Sequence, residues 1–325
     1  MASILDQFCG VAEESTYGTA ITSGFRGYEA TGDAWQKDVN YIESVGFRQN
    51  METIRSDRHD TIAVGATGSI ECDVLNKGHG LLLKHLLGAS SGPTQQASTA
   101  AYLQTFTTND TGPATSYTIQ MPRVDTTGTL KDFTYEGCIP TGFTIGCSVD
   151  EALKMTVDFD AEAEQTSTAA SAPTYPTSAD PFIFTQASVE IADSAVNTFT
   201  SIELTGDLGM NTERRFLKGS SVKSQPARSA VPSYTGTIEG EFSIAEYNAF
   251  VNGTVQKLEF IFTGETIAST YKYLFHVTMP AVKFTGSTPV ASTDDLVRLS
   301  LPFTVLHDGS NPAITITYQS TDTAH

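Results

Sequence analysis

The pentapeptide Gly88-Ala89-Ser90-Ser91-Gly92 has the spacing of a hydrolase nucleophile turn. That chemistry needs the serine hydroxyl at a sharp strand-to-helix turn, with an acid and a histidine arriving later. Here the pattern follows a leucine-rich helical stretch and enters a serine- and threonine-rich loop, so its surroundings do not support acyl transfer. Asp158, Asp160, Glu162 and Glu164 alternate along the chain, which would gather them on one side of a continuing strand, as a calcium site requires. No glycine turn or cluster of carbonyls accompanies them, and the pattern reads as a solvated acidic face. The histidines (His59, His79, His85, His276, His307 and His325) include no pair at the i, i+4 spacing of a helical metal site. Cys9, Cys72, Cys138 and Cys147 form no CxxC pair and read as free, mostly buried thiols. No catalytic, cofactor-binding or metal site is expected, and the chain is not expected to be an enzyme.

Charge is more informative. The 325 residues carry a net charge of −18. A chain this acidic is not expected to grip nucleic acid, whose affinity comes mainly from cations that displace phosphate counterions, although it could surround DNA without holding it. The cations are not evenly spread. One long irregular connection collects Arg48, Arg55 and Arg58, and a second collects Arg214, Arg215, Lys218, Lys223 and Arg228. Either these are two solvated loops, or they are basic arms that reach an acidic neighbour and steer assembly.

The elements that must carry these groups are mainly β. Charged residues make up only 17% of the chain and threonine contributes 46 residues, a composition that favours pleated, half-buried surfaces over disorder. No apolar run is long enough to cross a bilayer, and Met1 to Phe8 holds no basic leader before an apolar stretch, so no membrane insertion or secretion is expected. Alternation of apolar and polar residues predicts half-buried antiparallel strands at 117–121 and 153–159, with further strands at 102–108, 256–263, 296–306 and 313–319. Pro122 and Pro280 are placed at strand ends. One helix is expected over 77–87, with Leu82, Leu83, Leu86 and Leu87 on one stripe before Gly88. A second is expected over 244–252, with Tyr247 and Phe250 inward before Gly253.

Four blocks recur in the same order. Residues 25–33 match 199–207, Gly68-Ser-Ile-Glu71 matches Gly236-Thr-Ile-Glu239, residues 117–124 match 275–282, and residues 148–159 match 292–303. The offset falls from block to block while the order is kept, as in an internal duplication whose first copy carries insertions. The small-residue and proline stretch between them reads as a linker. We therefore expect two tandem copies of a small β-sandwich or barrel, each with one flanking α-helix, over residues 1–165 and 181–325, joined by 166–180.

Several segments together resemble the major tail tube proteins of long-tailed bacteriophages. They are Glu13-Glu-Ser-Thr-Tyr-Gly-Thr19, Tyr41-Ile-Glu-Ser-Val-Gly-Phe-Arg48, the Leu86-Leu-Gly88 helix end, Tyr247-Asn-Ala-Phe250 and Leu299-Ser-Leu-Pro-Phe303. The resemblance implies a virion structural protein of the tail, assembled in the host cytoplasm, that joins edge to edge into rings stacked as a hollow conduit for genome ejection. A duplicated member would form a pseudo-sixfold ring from three chains. The implied partners are further copies of itself, with the tape measure protein inside the tube and the tail terminator and tail-tip proteins at its ends. DNA would pass without specific binding. The long connections would be the inter-ring arms, and Glu71 with Asp73, and Glu239 with Glu241, at matching alternate positions, are the candidate lumen-facing acids. Two rival readings are an outward-facing decoration or adhesion module of a virion and a ring protein of a contractile injection system. An adhesin predicts clustered exposed aromatics, whereas the single tryptophan, Trp35, sits near the first repeated block and not in a pocket-like cluster.

Overall fold

The computed structural model describes residues 3–46, 49–113, 115–291 and 296–325. Through residue 165 the chain forms β1 (Cys9–Glu13), β2 (Arg26–Tyr28), β3 (Gln36–Glu43), β4 (His59–Asp73), α1 (Gly80–Lys84), β5 (Gly88–Gln95) and β6 (Tyr102–Thr108). It continues with β7 (Tyr117–Gln120), β8 (Arg123–Val124), β9 (Leu130–Lys131), β10 (Thr134–Ser148), β11 (Lys154–Ala161) and β12 (Ala163–Gln165). The later part forms β13 (Ala187–Ile191), β14 (Ser194–Val196), β15 (Phe199–Asp207), β16 (Met210–Asn211), β17 (Ala227–Arg228) and β18 (Ser233–Glu241). It ends with α2 (Ile244–Val251), β19 (Val255–Ala268), β20 (Tyr271–Phe284), β21 (Arg298–Val305) and β22 (Thr315–Ser320). The protein is mainly β, as its composition predicts.

All the ladders between these strands are antiparallel. In the first half, one sheet runs β2-β1-β7-β10-β12 and a second runs β3-β4-β11-β10. The long strand β10 belongs to both. It crosses from one sheet to the other between Cys138, its last residue paired with β7, and Ile139, its first paired with β11, with register shifts on either side at Tyr135–Cys138 and Pro140–Gly142, the device by which strands turn the corner of a sandwich. In the second half the sheets run β14-β13-β19-β20-β22 and β15-β18-β21-β20, with β20 crossing between them. The pairing order is that of the first half. The C-terminal part of β10 also pairs with β15 over Gly142–Ser148, so the sheet β3-β4-β11-β10 continues as β15-β18-β21. The hairpin β5-β6 pairs in turn with β22.

Register gives a finer comparison. Gly68 lies opposite Phe159 and Ile70 opposite Val157, while Gly236 lies opposite Phe303 and Ile238 opposite Leu301. These are the partners that the second and fourth repeated blocks align. The first and third blocks do not share this property. Residues 25–33 cover β2, whereas Phe199–Asp207 is β15, the strand that pairs with β18 as β3 pairs with β4. Likewise 117–124 begins in β7, whereas 275–282 lies in β20. Alternating aliphatic and threonine residues are common to many strands here, so a short match can align strands that sit in different places.

The apolar faces of the sheets meet in one core that includes Ile70, Phe143, Val157, Leu204, Ile238 and Leu301. Trp35 lies inside it, stacked on Tyr135 at 4.4 Å between ring centroids, with Phe159 at 5.9 Å. All four leucines of the expected first helix, Leu82, Leu83, Leu86 and Leu87, are fully buried. The helix itself is shorter than expected. Gly78 sits at φ +87° and donates its N–H to Asp322, so helical geometry begins only at Gly80. In α2, Tyr247 and Phe250 are half-buried against the core.

Two strand expectations change. Strand β7 is buried on both faces, because the Thr118 hydroxyl donates to Glu14 and Gln120 donates to Thr134 and to the Ala169 carbonyl under the segment after β12. Pro280 lies within β20 rather than at its end, at the bulge between the pairs Gln256–Val282 and Leu258–Met279, where a missing N–H is tolerated. The stretch 166–180 is held along the first half. Gly27 donates to the Thr174 carbonyl, Lys77 to the carbonyls of Thr177 and Ser178, and Asn76 to that of Asp180.

Close packing at Gly68 makes a direct test. A Cβ at this position would stand 2.2 Å from Trp35 Cδ2, whereas one at Gly32 would meet nothing within 4 Å. Gly68→Ala is expected to destabilise the chain by about 1–3 kcal/mol and Gly32→Ala to stay within about 0.5 kcal/mol of the parent, both read from urea denaturation midpoints.

Candidate functional site: an acidic sheet face and two basic connections

Antiparallel partners point to the same side of a sheet, so register alone shows which residues share the surface opposite the core. One row crosses the merged sheet as Glu71, Thr156, Thr144, Thr205, Thr235 and Thr304. A second crosses as Asp73, Lys154, Gly146, Glu203, Thr237 and Pro302. A third crosses as Ser69, Asp158, Gly142, Asp207 and Ser233. Glu239 stands opposite Ser201 and Ser300, and Glu241 opposite Arg298. The face is hydroxyl-rich and carries Glu71, Asp73, Asp158, Glu203, Asp207, Glu239 and Glu241 against Lys154 and Arg298.

The four acids singled out from the sequence, Glu71, Asp73, Glu239 and Glu241, thus lie on one continuous surface. Sequence reasoning missed Glu203 and Asp207 on the same surface. Their signal was present: both alternate with Ile202, Leu204 and Gly206, whose positions face the core. The serine of the Gly88–Gly92 pattern lies within strand β5, opposite Phe106 on β6, and not at the strand-to-helix turn that nucleophile chemistry needs. All four cysteines are unpaired and buried, and among the described residues no cluster of His, Cys, Asp and Glu could hold a metal.

The second basic connection, between β15 and β18, folds back onto the first half. Arg215 donates to the carbonyls of Ser221 at 2.7 Å and Val64 at 3.2 Å, and Val64 N–H donates to the Ser221 carbonyl. Arg214 holds the Gln225 carbonyl at 2.6 Å, Lys218 the Ser224 hydroxyl at 3.0 Å, and Arg228 the carbonyls of Leu208 and Asn109. Lys223 runs over Gly65 and ion-pairs with Asp160. Both side chains are only 3% exposed. Asp160 is therefore not part of a solvated acidic face: the connection from the second half covers it. Burial pushes its carboxyl up to about 6, and the hydrogen bond and charge of Lys223 only partly oppose that rise.

The first basic connection, between β3 and β4, makes a different structure. The two strands extend as a hairpin that stays largely exposed. Arg55 pairs with Asp57 near its tip, and Arg58 is exposed. Arg48 lies outside the described residues. Tyr41, Ile42, Val45, Met51, Ile54 and Ile62 are all exposed on this hairpin.

A family model described as phage tail tube protein matches residues 5–305. The chain belongs to the phage tail tube protein family. It is a structural component of the virion tail, and the mainly β fold agrees with that role. A search of curated proteins finds no match to this tail tube protein. No helix among the described residues is long and apolar enough to cross a membrane.

The Lys223–Asp160 pair supplies a pH-dependent test. Removing the ammonium in Lys223→Met leaves a buried carboxylate without its partner, a loss of about 3–5 kcal/mol at pH 7. A carboxyl whose folded pKa lies above its unfolded value costs stability as pH rises between the two, and loss of Lys223 moves the folded value further up. The destabilisation relative to the parent is therefore expected to be larger at pH 7 than at pH 5 in urea denaturation. An equal loss at both values would contradict the ionic role of the pair.

Proposed function

We propose that this tail tube protein assembles into closed rings of three chains, each chain supplying two wedges of a pseudo-sixfold ring, and that the rings stack into the tube through which genomic DNA is ejected. The observation that carries this reading is the merged sheet, apolar toward the core and hydroxyl-rich and acidic on its other side. Placed around a bore, that face repels phosphate and offers DNA few cations to bind. Glu71, Asp73, Glu239 and Glu241, together with Glu203 and Asp207, are the lumen-facing acids of this proposal.

The two wedges are residues 1–165 and 181–325, joined by 166–180. Recurrent pairing order and the shared register of β4-β11 and β18-β21 support reading them as copies. Closed rings also answer the hazard of exposed sheet edges, which satisfy their backbone groups by pairing with another chain. The β3-β4 hairpin, with Arg48, Arg55 and Arg58 and its exposed apolar residues, serves as the arm to the next ring. The β15-β18 connection, with Arg214, Arg215, Lys218, Lys223 and Arg228, seals the seam between the two halves of one chain. Family resemblance supplies the remaining partners: the tape measure protein within the tube, and the terminator and tip proteins at its ends, with assembly in the host cytoplasm.

Negative-stain microscopy of the concentrated protein tests the reading. Hollow rods with an axial repeat of about 40 Å, the width of a β-domain, are expected. Monomers at every concentration would contradict it. The two basic connections should also separate in variants. Arg55→Glu with Arg58→Glu is expected to leave the thermal melt unchanged and prevent rods, whereas Arg215→Glu, which breaks bonds to Val64 and Ser221, is expected to lower the melting temperature.

A further inference from the structure

The junction inside the chain shows what the junction between chains should be. We propose that residues 286–288, which form no strand in the single chain, become a strand by pairing with residues 36–38 of a second copy, with Gly286 opposite Asp38, Ser287 opposite Lys37 and Thr288 opposite Gln36. The inference rests on the ring reading above and gives its interface a register.

β10 and β20 occupy matching places in the two halves. Pro140 lies opposite Phe159, and Phe284 lies opposite Phe303, the residue that corresponds to Phe159 in register. The next residue repeats the match: the Thr141 hydroxyl donates to the Asp158 carbonyl at 3.3 Å, and the Thr285 hydroxyl to the Pro302 carbonyl at 3.2 Å. Beyond this point the two strands part. β10 runs on from Gly142 and pairs with both β11 and β15. The corresponding residues from Gly286 belong to no strand, and 285–288 are exposed.

Pro302 explains the difference. Its carbonyl accepts the Thr285 N–H at 2.7 Å. In an antiparallel ladder the N–H and C=O of one residue face the same neighbour, so the bond that Asp158 can return at this place is one that proline cannot make. From Gly286 the segment makes no ladder with β21, and among the described residues the backbone groups of 286–288 find no partner; the Tyr247 hydroxyl, 3.1 Å from that of Thr288, steadies it.

The complementary edge is β3. Among the described residues it pairs only with β4, Asp38 opposite Gly65 and Gln36 opposite Thr67. These correspond to Asp207 opposite Ser233 and Thr205 opposite Thr235, and Asp207, Gly206 and Thr205 are the residues that pair with Gly142, Phe143 and Thr144. Moving that ladder to the free edges places 286–288 against 38–36 of another copy. Lys37 and Ser287 would then exchange both backbone bonds. The ladder should stop before residue 35, because Arg123 already holds the Trp35 carbonyl at 2.9 Å.

Within the chain the hydroxyls of Thr144 and Thr205 are 3.3 Å apart. Cysteines at the corresponding positions of two chains, Gln36→Cys with Thr288→Cys, should therefore form a disulfide in assembled rods. The wild-type thiols are buried. Under mild oxidation the monomer band should be lost on a non-reducing gel, giving covalent species that end at three chains. Gln36→Cys with Ser287→Cys, whose side chains fall on opposite faces, should remain monomeric, and Thr144→Cys with Thr205→Cys should close within one chain. Rods that stay uncrosslinked in the first variant while the in-chain control closes would overturn the register and leave the ring reading standing. Wild-type protein that forms no rods would overturn both. Hydrogen exchange on the wild type reads the same interface without substitution. The Lys37 and Ser287 amides should exchange about tenfold or more slowly in rods than in the monomer, and equal rates would overturn the proposal.

Discussion

The ladder between β10 and β15 is the interaction on which the rest of the structure depends. It joins strands that belong to different halves of the chain, and it makes one continuous sheet out of two. Without it the acidic and hydroxyl rows would be separate patches. With it, Glu71 on one half and Glu239 on the other stand on one surface. Backbone bonding of this kind is indifferent to side-chain identity, which lets the exposed face be chosen for charge while the opposite face is chosen for packing.

A second consequence concerns the seam. Ladders resist sliding poorly where both faces are polar, because a shifted register then exposes no apolar group. Here the register is held from both sides. Phe143, Ile145, Ile202 and Leu204 pack below the junction, and the β15-β18 connection crosses the end of the first half and buries Lys223 against Asp160. A buried ion pair contributes little net stability, but it is costly to separate, so it specifies where the connection must lie.

Much of this was legible in the sequence. Period-two alternation and strand composition located β6, β7, β11, β19, β21 and β22, the leucine stripe located the first helix region, and Gly68-Ser-Ile-Glu71 with Gly236-Thr-Ile-Glu239 aligned strands whose register proved identical. The alignment of residues 25–33 with 199–207 was misleading because strand composition is shared across the molecule, and only hydrogen bonding distinguishes β2 from β3. The buried state of Asp160 was not legible. Its own neighbourhood reads as an exposed alternating strand, and the cover comes from Lys223, 63 residues away. The basic residues of that connection were conspicuous in the sequence, but whether they meet an acid of the same chain or of another depends on three-dimensional closure.

The central claim is that one chain contributes two equivalent wedges to each ring. Mass per unit length of the assembled rods, combined with their axial repeat, measures it most directly. The account gives three chains of 34.8 kDa per repeat, with threefold symmetry in a cryo-microscopy reconstruction and two similar sandwiches in each asymmetric unit. Six chains per repeat, or a ring in which the two halves occupy different radii, would contradict it.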